Sequence, residues 1–586
     1  MNHKYLLPAM LAWALTLVAC NRGDDAAAAR AAAASAVDSI AAEFVQGYYA
    51  QFPQEVYEVG YPDAPMNRFS DHSSEATLAW DHRVDEWLAR LDAIDTSLIE
   101  DQPAAVTYAF TRERLDSLRA RRVCRQELWN VSPTWTGWQS EFAATLAVQP
   151  VTTDAERRDA LQRLRDMPRF LDTETSVLRE GMDLGYLAPK NNVAAVLDQV
   201  DALIATPPED SPFYGPASRS ADVSFVNQYR KMLGTELTPA LRRFRDFLAE
   251  EYAGRDAAGV AANPDGAECY RTSVRYWSTL DMDAEAIHRE GLAQMTRIRS
   301  EMLKIARESF GTDDLGELLQ RLRSDPAFTF SDEQALVDYV SAAVERGREE
   351  AGNWFGLVPD VELVVVQSPA YEKDSGGGFY SAGALDGSYP ATYKVGTYNP
   401  QGISKAGQEA TAFHESYPGH HLQGSVALQN EELSPVLRFM YTSGFAEGWA
   451  LYTERLADEM GLYSDDVARL GMLSNEAYRA ARLVVDPGMH VLGWTRQQAI
   501  DYMLQHTAEG PDAVGAEVDR YLAVPGQATS YLLGSLEIQR LRRQAEAALG
   551  ERFDIRKFHD RVLANGSVTL SMLRDSIEVW IAEQRQ

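Results

Sequence analysis

From about Ser39 to the C-terminus, apolar residues recur every three or four positions: Leu88, Leu91 and Ile94; Leu161, Leu164, Met167 and Phe170; Ile287, Leu292, Met295, Ile298 and Met302. That spacing is the 3.6-residue period of amphipathic helices. Thr279 and Asp281 stand ahead of the third segment and Gly311 behind it, as helix starts and stops require. Further helices are predicted over 422–428, 445–460, 472–485, 497–506, 530–549 and 571–581. One stretch breaks the period. Residues 361–366 (VELVVV) are a β-branched run, and 376–398 (GGGFYSAGALDGSYPATYKVGTY) is rich in Gly, Tyr and turn residues. The chain therefore reads as mainly α, with an N-terminal helical region (39–355) packed on a C-terminal one (356–586) and a small sheet or hairpin near the seam.

The first 20 residues follow another logic. Lys4 precedes an apolar run from Tyr5 to Ala19, and Cys20 follows Leu17, Val18 and Ala19. No other run approaches the roughly 18 apolar residues that span a bilayer, so this is a secretion signal. LVAC resembles the lipobox of bacterial lipoproteins, in which residues 1–19 are removed and Cys20 is acylated; an ordinary cleaved signal or short anchor helix is the alternative. Asn21 resembles the outer-membrane sorting class, which points to a periplasm-facing envelope protein held by lipid alone. The Ala-rich segment 20–38 reads as a tether. With Cys20 occupied, Cys124 and Cys269 remain in an oxidising compartment, where an even pair suggests a disulfide; two buried thiols are the alternative.

Charge narrows the partners. With 56 Lys and Arg against 86 Asp and Glu, the net charge is −30, which repels nucleic-acid phosphates. Peptides, small molecules and cations remain.

Three of the ten histidines fall within AFHESYPGHHLQ: His414, His420 and His421, with Glu415 after the first. A His-Glu pair opens the H-E-x-x-H zinc signature, in which two imidazoles share a helix face and the Glu activates water. Here the fourth position after His414 is Pro418, so the strict motif is absent. In an undistorted helix His420 would point away from His414, and His421 would stand about 10.5 Å along the axis. A two-residue bulge at Pro418-Gly419 would put His420 in the second ligand position, with His421 as the alternative. A catalytic zinc needs a third protein ligand. Glu447, set among Phe445, Ala446, Gly448 and Trp449, is the candidate, because a carboxylate in apolar surroundings must be paired or bound. Glu454 and Glu459 read as ordinary half-exposed helix carboxylates.

HESYPGHHLQ, SGFAEGWALYTERL, RAARLVVDPGMH, VPGQATSYLLG and FHDRVLANGSVTL together resemble the bacterial family named domain of unknown function 885, placed among zincin-like metallopeptidases. The resemblance implies a helical fold similar to carboxypeptidase Taq and the thimet-oligopeptidase group, with zinc held by two His and a Glu on a following helix. It carries over to His414, Glu415, His420, His421 and Glu447.

Two residues are candidates to stabilise an oxyanion: His490, which with Asp486 brackets a Pro-Gly turn, and Tyr531, at the start of a helix. Arg479, Arg482 and Arg520 are the nearest cations for a substrate carboxylate, though each alone reads as a solvated helix residue. The expected function is a lipid-anchored zinc peptidase, with hydrolysis of a non-peptide amide or ester, or a non-catalytic binding lipoprotein, as alternatives.

Overall fold

The computed structural model describes residues 7–585, apart from 57–60, 62–63, 101–102, 369–377, 384, 386 and 388–389, with side chains from residue 25 onward. The side chains of Cys20 and the rest of the leader are outside what is described, and part of the Gly-rich 376–398 segment lies outside the described residues. Among the described residues no helix is long and apolar enough to cross a membrane.

The chain is mainly helical, and the helices that position the site are numbered here. Helix α1 (Leu7–Gln51) runs unbroken through the Ala-rich segment expected to be a loose tether. Alanine loses almost no side-chain freedom in a helix, so this stretch is helical while exposed over 25–32. Packing begins at Ala33 and Ala34, and Val37 is fully buried with Ile99 and Ala104. Helix α2 (Pro103–Arg121) is tied to α3 (Gly266–Ser278) by a disulfide between Cys124 and Cys269, whose Cα atoms are 4.6 Å apart. Helix α4 (Ala284–Phe310) begins two residues beyond Asp281: Asp283 accepts from the Ala286 N–H as its N-cap. Gly311 ends it in the left-handed region at φ 66°.

After α5 (Glu333–Trp354) come the strands β1 (Leu363–Gln367), β2 (Gly378–Ser381) and β3 (Ala391–Val395). They form one sheet in the order β1-β3-β2, with β1 parallel and β2 antiparallel to β3. Strand β2 is thus an edge. Helices α6 (Gln408–Glu415), α7 (His420–Gln429), α8 (Ser443–Glu459), α9 (Asp466–His490) and α10 (Ser530–Leu549) follow.

The cores interleave the two halves of the chain. One apolar cluster stays within the N-terminal half, from Phe69 to Tyr252. Another joins Phe44 and Trp87 to Trp449, Phe558 and Ile577, and a third joins Ile287 and Ile298 to Leu483 and Tyr521. Two glycine contacts set the helix spacing that matters most. A Cβ on Gly534 of α10 would lie 1.8 Å from the Gly444 carbonyl oxygen of α8, and one on Gly448 would lie 2.6 Å from Gly534. Only backbone against backbone fits there.

Candidate active site

The Pro-Gly pair does not bulge one helix; it separates two. Helix α6 stops at Glu415, the Tyr417–Pro418 bond is cis, and α7 starts at His420. A Cβ on Gly419 would sit 1.9 Å from the His414 carbonyl oxygen, so the chain can reverse this tightly only through glycine. The reversal is held from α8, where the Trp449 indole N–H donates to the Pro418 carbonyl at 3.0 Å. His420 is thereby returned to His414, with ring centroids 4.8 Å apart and planes perpendicular.

Glu447 of α8 completes a triad. Its Oε2 is 3.5 Å from Nε2 of His414 and 3.5 Å from Nε2 of His420, and one donor atom from each residue lies within 4.8 Å of the others. A hydrogen-bonded pair would close to about 2.8 Å. Ligands on a tetrahedron with spokes of about 2.0–2.1 Å stand roughly 3.3 Å apart, so the two 3.5 Å separations fit a shared cation better than direct bonds. Two imidazoles and one carboxylate are also the donor set of a catalytic zinc site that keeps one position for water.

The charge balance favours the same occupant. Burial alone would lower His414, but Glu447, Glu454 and Glu415 together push it up to about 9. Burial opposes ionisation of Glu447, yet His414 and His420 hold its carboxyl well below the usual range. Glu454 was expected to be half exposed and is instead 1% exposed, with Oε1 2.9 Å from Nδ1 of His414. A carboxylate there fixes the proton on Nδ1 and leaves Nε2 free to face a cation. Its spacing of seven residues from Glu447, two turns on one helix face, was the signal available in the sequence.

Glu415 is buried beside the triad without belonging to it. Its Oε2 accepts from the backbone N–H of Tyr380 on β2 at 2.8 Å, so the sheet edge orients it. Burial raises its pKa, opposed by His414 and His420. Tyr531, at the first turn of α10, is raised by burial and by the nearby charge of Glu447. Its ring carries the Arg482 guanidinium at 4.6 Å.

The remaining candidates serve the scaffold. His421 is fully buried, with Nε2 3.2 Å from the Val361 carbonyl and 3.1 Å from the Tyr417 hydroxyl, and burial pushes it down to about 4. It faces away from the triad, so of the two neighbours it is His420 that joins His414 and Glu447. His490 does not reach the site either: Nδ1 accepts from the Val260 N–H at 3.1 Å, Nε2 lies 2.9 Å from the Tyr521 carbonyl, and the ring stacks on Tyr270. No turn precedes it, because α9 continues through Pro487 to His490. Arg482 and Arg520, expected on solvated faces, are each 6% exposed and share Glu517 at 3.0 and 2.8 Å. Arg479 stands 3.8 Å from Glu454, behind His414.

Comparison with known proteins gives kinship more than chemistry. The sequence pattern of a family described as "Bacterial protein of unknown function (DUF885)" matches residues 53–577. A solved structure from Colwellia psychrerythraea, described as a "putative lipoprotein", is 25% identical and superposes with a TM-score of 0.85 over 95% of this chain and 99% of that one. A lipoprotein of unknown function from Shewanella oneidensis, described in the same terms, is 18% identical, with a TM-score of 0.69 over 92% of this chain and 98% of that one. No curated protein matches the chain.

Proposed function

The chain belongs to the DUF885 family of bacterial proteins, and on that premise we propose that it is a zinc-dependent hydrolase, acting on peptides, of the zincin-like kind that its His-Glu helix resembles. One observation carries the reading: His414, His420 and Glu447 converge within 4.8 Å, while a buried carboxylate, Glu415, stands beside them. A purely structural metal has no use for that carboxylate.

Zinc bound there supplies a Lewis acid that polarises water and the scissile carbonyl. Glu415, steered by the Tyr380 N–H, takes the proton from the attacking water and returns it to the leaving amine. Tyr531 donates its hydroxyl to the carbonyl oxygen as negative charge develops. His490 has no part, both its ring nitrogens being committed to the backbone. The outer edge of β2, next to Glu415, supports an extended peptide rather than a sugar.

The test is metal analysis of protein prepared without chelator, followed by mass analysis of a mixed peptide library with and without chelator. One zinc per chain and chelator-sensitive cleavage are expected. Zinc without any peptide cleavage would favour a non-peptide amide or ester, or a binding role. We also propose that Cys20 is lipidated in the envelope, in keeping with the description of both structural relatives. A fatty-acid label should tag the wild type and not Cys20→Ala.

A further inference from the structure

Tyr531 stands beside the triad because two helices are held in register. The Ser443 and Ser530 hydroxyls meet at 2.7 Å, and further along, a Cβ on Gly448 would lie 2.6 Å from Gly534. Helices α8 and α10 therefore run side by side in the same direction from their first turns. Side chains lean toward a helix's N-terminus. Glu447, next to Gly448, and Tyr531, next to Ser530, are thus brought to the same end of that contact, and the charge of Glu447 acts on the Tyr531 hydroxyl.

The Tyr531 ring is only partly buried there, so its own packing does not fix it. A hydroxyl carried at the end of two side-chain torsions is displaced when its ring turns. Arg482 of α9 supplies a wall. Its guanidinium lies over two tyrosine rings, 4.6 Å from that of Tyr531 and 4.6 Å from that of Tyr478. It is 6% exposed and held by its own bonds: Nε donates to the Tyr521 hydroxyl at 2.9 Å and Nη2 to Glu517 at 3.0 Å. Glu517 reaches Tyr531 by a second route. It holds Arg520 at 2.8 Å, and Arg520 donates to the side-chain oxygen of Gln527, in the turn that leads into α10.

We propose that Arg482 is a positioning residue for Tyr531: stacked on the ring and anchored to Tyr521 and Glu517, it aims the Tyr531 hydroxyl at the carbonyl oxygen of a bound substrate. The proposal rests on the hydrolase reading above. Buried and already bonded to a carboxylate, Arg482 acts through that hydroxyl and does not touch the substrate itself.

The test is a double-mutant cycle on the full chain loaded with zinc, using a peptide found by the library screen. Arg482→Lys keeps the charge but loses the plane that stacks on the rings and bonds to Tyr521 and Glu517 together. Its zinc content should match wild type, and its kcat should fall by roughly 10- to 100-fold, less than the 10²- to 10³-fold of a lost oxyanion donor, with KM changed by under about twofold. Tyr531→Phe keeps the ring and has no hydroxyl to aim. In that background Arg482→Lys should change kcat by under about twofold. Wild-type kcat in Arg482→Lys, an equal loss in both backgrounds, or a loss confined to KM would overturn the proposal. A second readout needs neither substrate nor metal: fluorotyrosine placed at 531 should give one sharp fluorine NMR line, shifted or broadened by Arg482→Lys. An unchanged line overturns the proposal even where the peptide is cleaved. If wild-type protein cleaves no peptide, the hydrolase reading fails separately, and the fluorine line alone decides whether Arg482 sets the ring. Should Arg482→Lys not fold, Glu517→Ala, at a partly exposed carboxylate, releases Arg482 in its place; the same readouts should then move in the same directions, and their constancy overturns the proposal.

Discussion

Glu447 and Glu454 stand two turns apart on one face of α8 and approach opposite nitrogens of the same ring: Glu447 Oε2 is 3.5 Å from Nε2 of His414, and Glu454 Oε1 is 2.9 Å from Nδ1. One helix thus sets a carboxylate against each nitrogen of the His414 ring.

The first prediction follows from that division. Glu454→Gln keeps an acceptor for the Nδ1 proton but removes the charge, and Glu454→Ala removes both. Zinc affinity, measured by chelator competition, should weaken by roughly tenfold in the first and up to about 100-fold in the second. Wild-type affinity in Glu454→Ala would show that His414 is oriented by something else.

The Gly419 reversal makes a second, sharper prediction. His420→Ala should lose zinc. His421→Ala should keep it and instead unfold more easily, by about 1–3 kcal/mol, because the Val361 carbonyl and the Tyr417 hydroxyl lose their partner in a buried setting. Zinc loss in His421→Ala alone would reverse the assignment.

How far the sequence disclosed this site depends on how local each signal is. The helices around Ile287–Met302 and 445–460 were legible because their apolar period reports burial directly. The choice of His420 was legible only as a consequence of Pro418-Gly419, and its cause was misjudged: the pair ends α6 and lets a new helix begin, because Trp449 and the crowding at Gly419 hold a tight reversal in place. Glu454 was missed because a carboxylate on an amphipathic helix is ordinarily exposed, and what buries it is the distant α6. His490 was misplaced for the opposite reason. Asp486-Pro487-Gly488 has turn chemistry, but every residue from 480 to 490 is buried, and tertiary packing keeps the helix going through the proline.

That burial gives a prediction about pH. Burial pushes Asp486 up to about 7, despite bonds from the Tyr270 hydroxyl and the Gly526 N–H, and pushes His490 down to about 3. A carboxyl raised from 3.8 stabilises the fold below that value, and the contribution is lost as pH rises toward 7. An imidazole lowered from 6.5 stabilises the fold above that value, and the contribution is lost as pH falls toward 3. Between these limits the two slopes oppose each other, each about 1.4 kcal/mol per pH unit. Denaturant unfolding between acid and near-neutral pH should therefore show stability rising with pH more steeply in Asp486→Asn than in the wild type, and less steeply in His490→Gln. Identical slopes in all three would refute the account. Folded His490→Gln should also retain zinc and activity, since both ring nitrogens serve the backbone away from the triad.

The last prediction separates catalysis from metal holding. Glu415 accepts the Tyr380 N–H with one carboxylate oxygen and lies beside the triad, a position from which it can reach a water without displacing it. Glu415→Gln keeps the volume and that hydrogen bond but cannot take a proton. Zinc content and melting should stay near wild type, while turnover on a peptide found by the library screen should fall by at least roughly 10²-fold, the low end for a lost acid-base group. Tyr531→Phe should likewise keep zinc and raise the barrier by roughly 2.7 to 4 kcal/mol, the measured range for one lost oxyanion donor. Because the two residues act on different atoms at different moments, their pH profiles should differ: Glu415→Gln should remove the acid limb of the activity curve, and Tyr531→Phe should lower the whole curve without moving that limb. Near-normal turnover in Glu415→Gln would exclude it as the base. Zinc loss in the same variant would make Glu415 a ligand or its support, and the water would then have to be activated from another side of the triad.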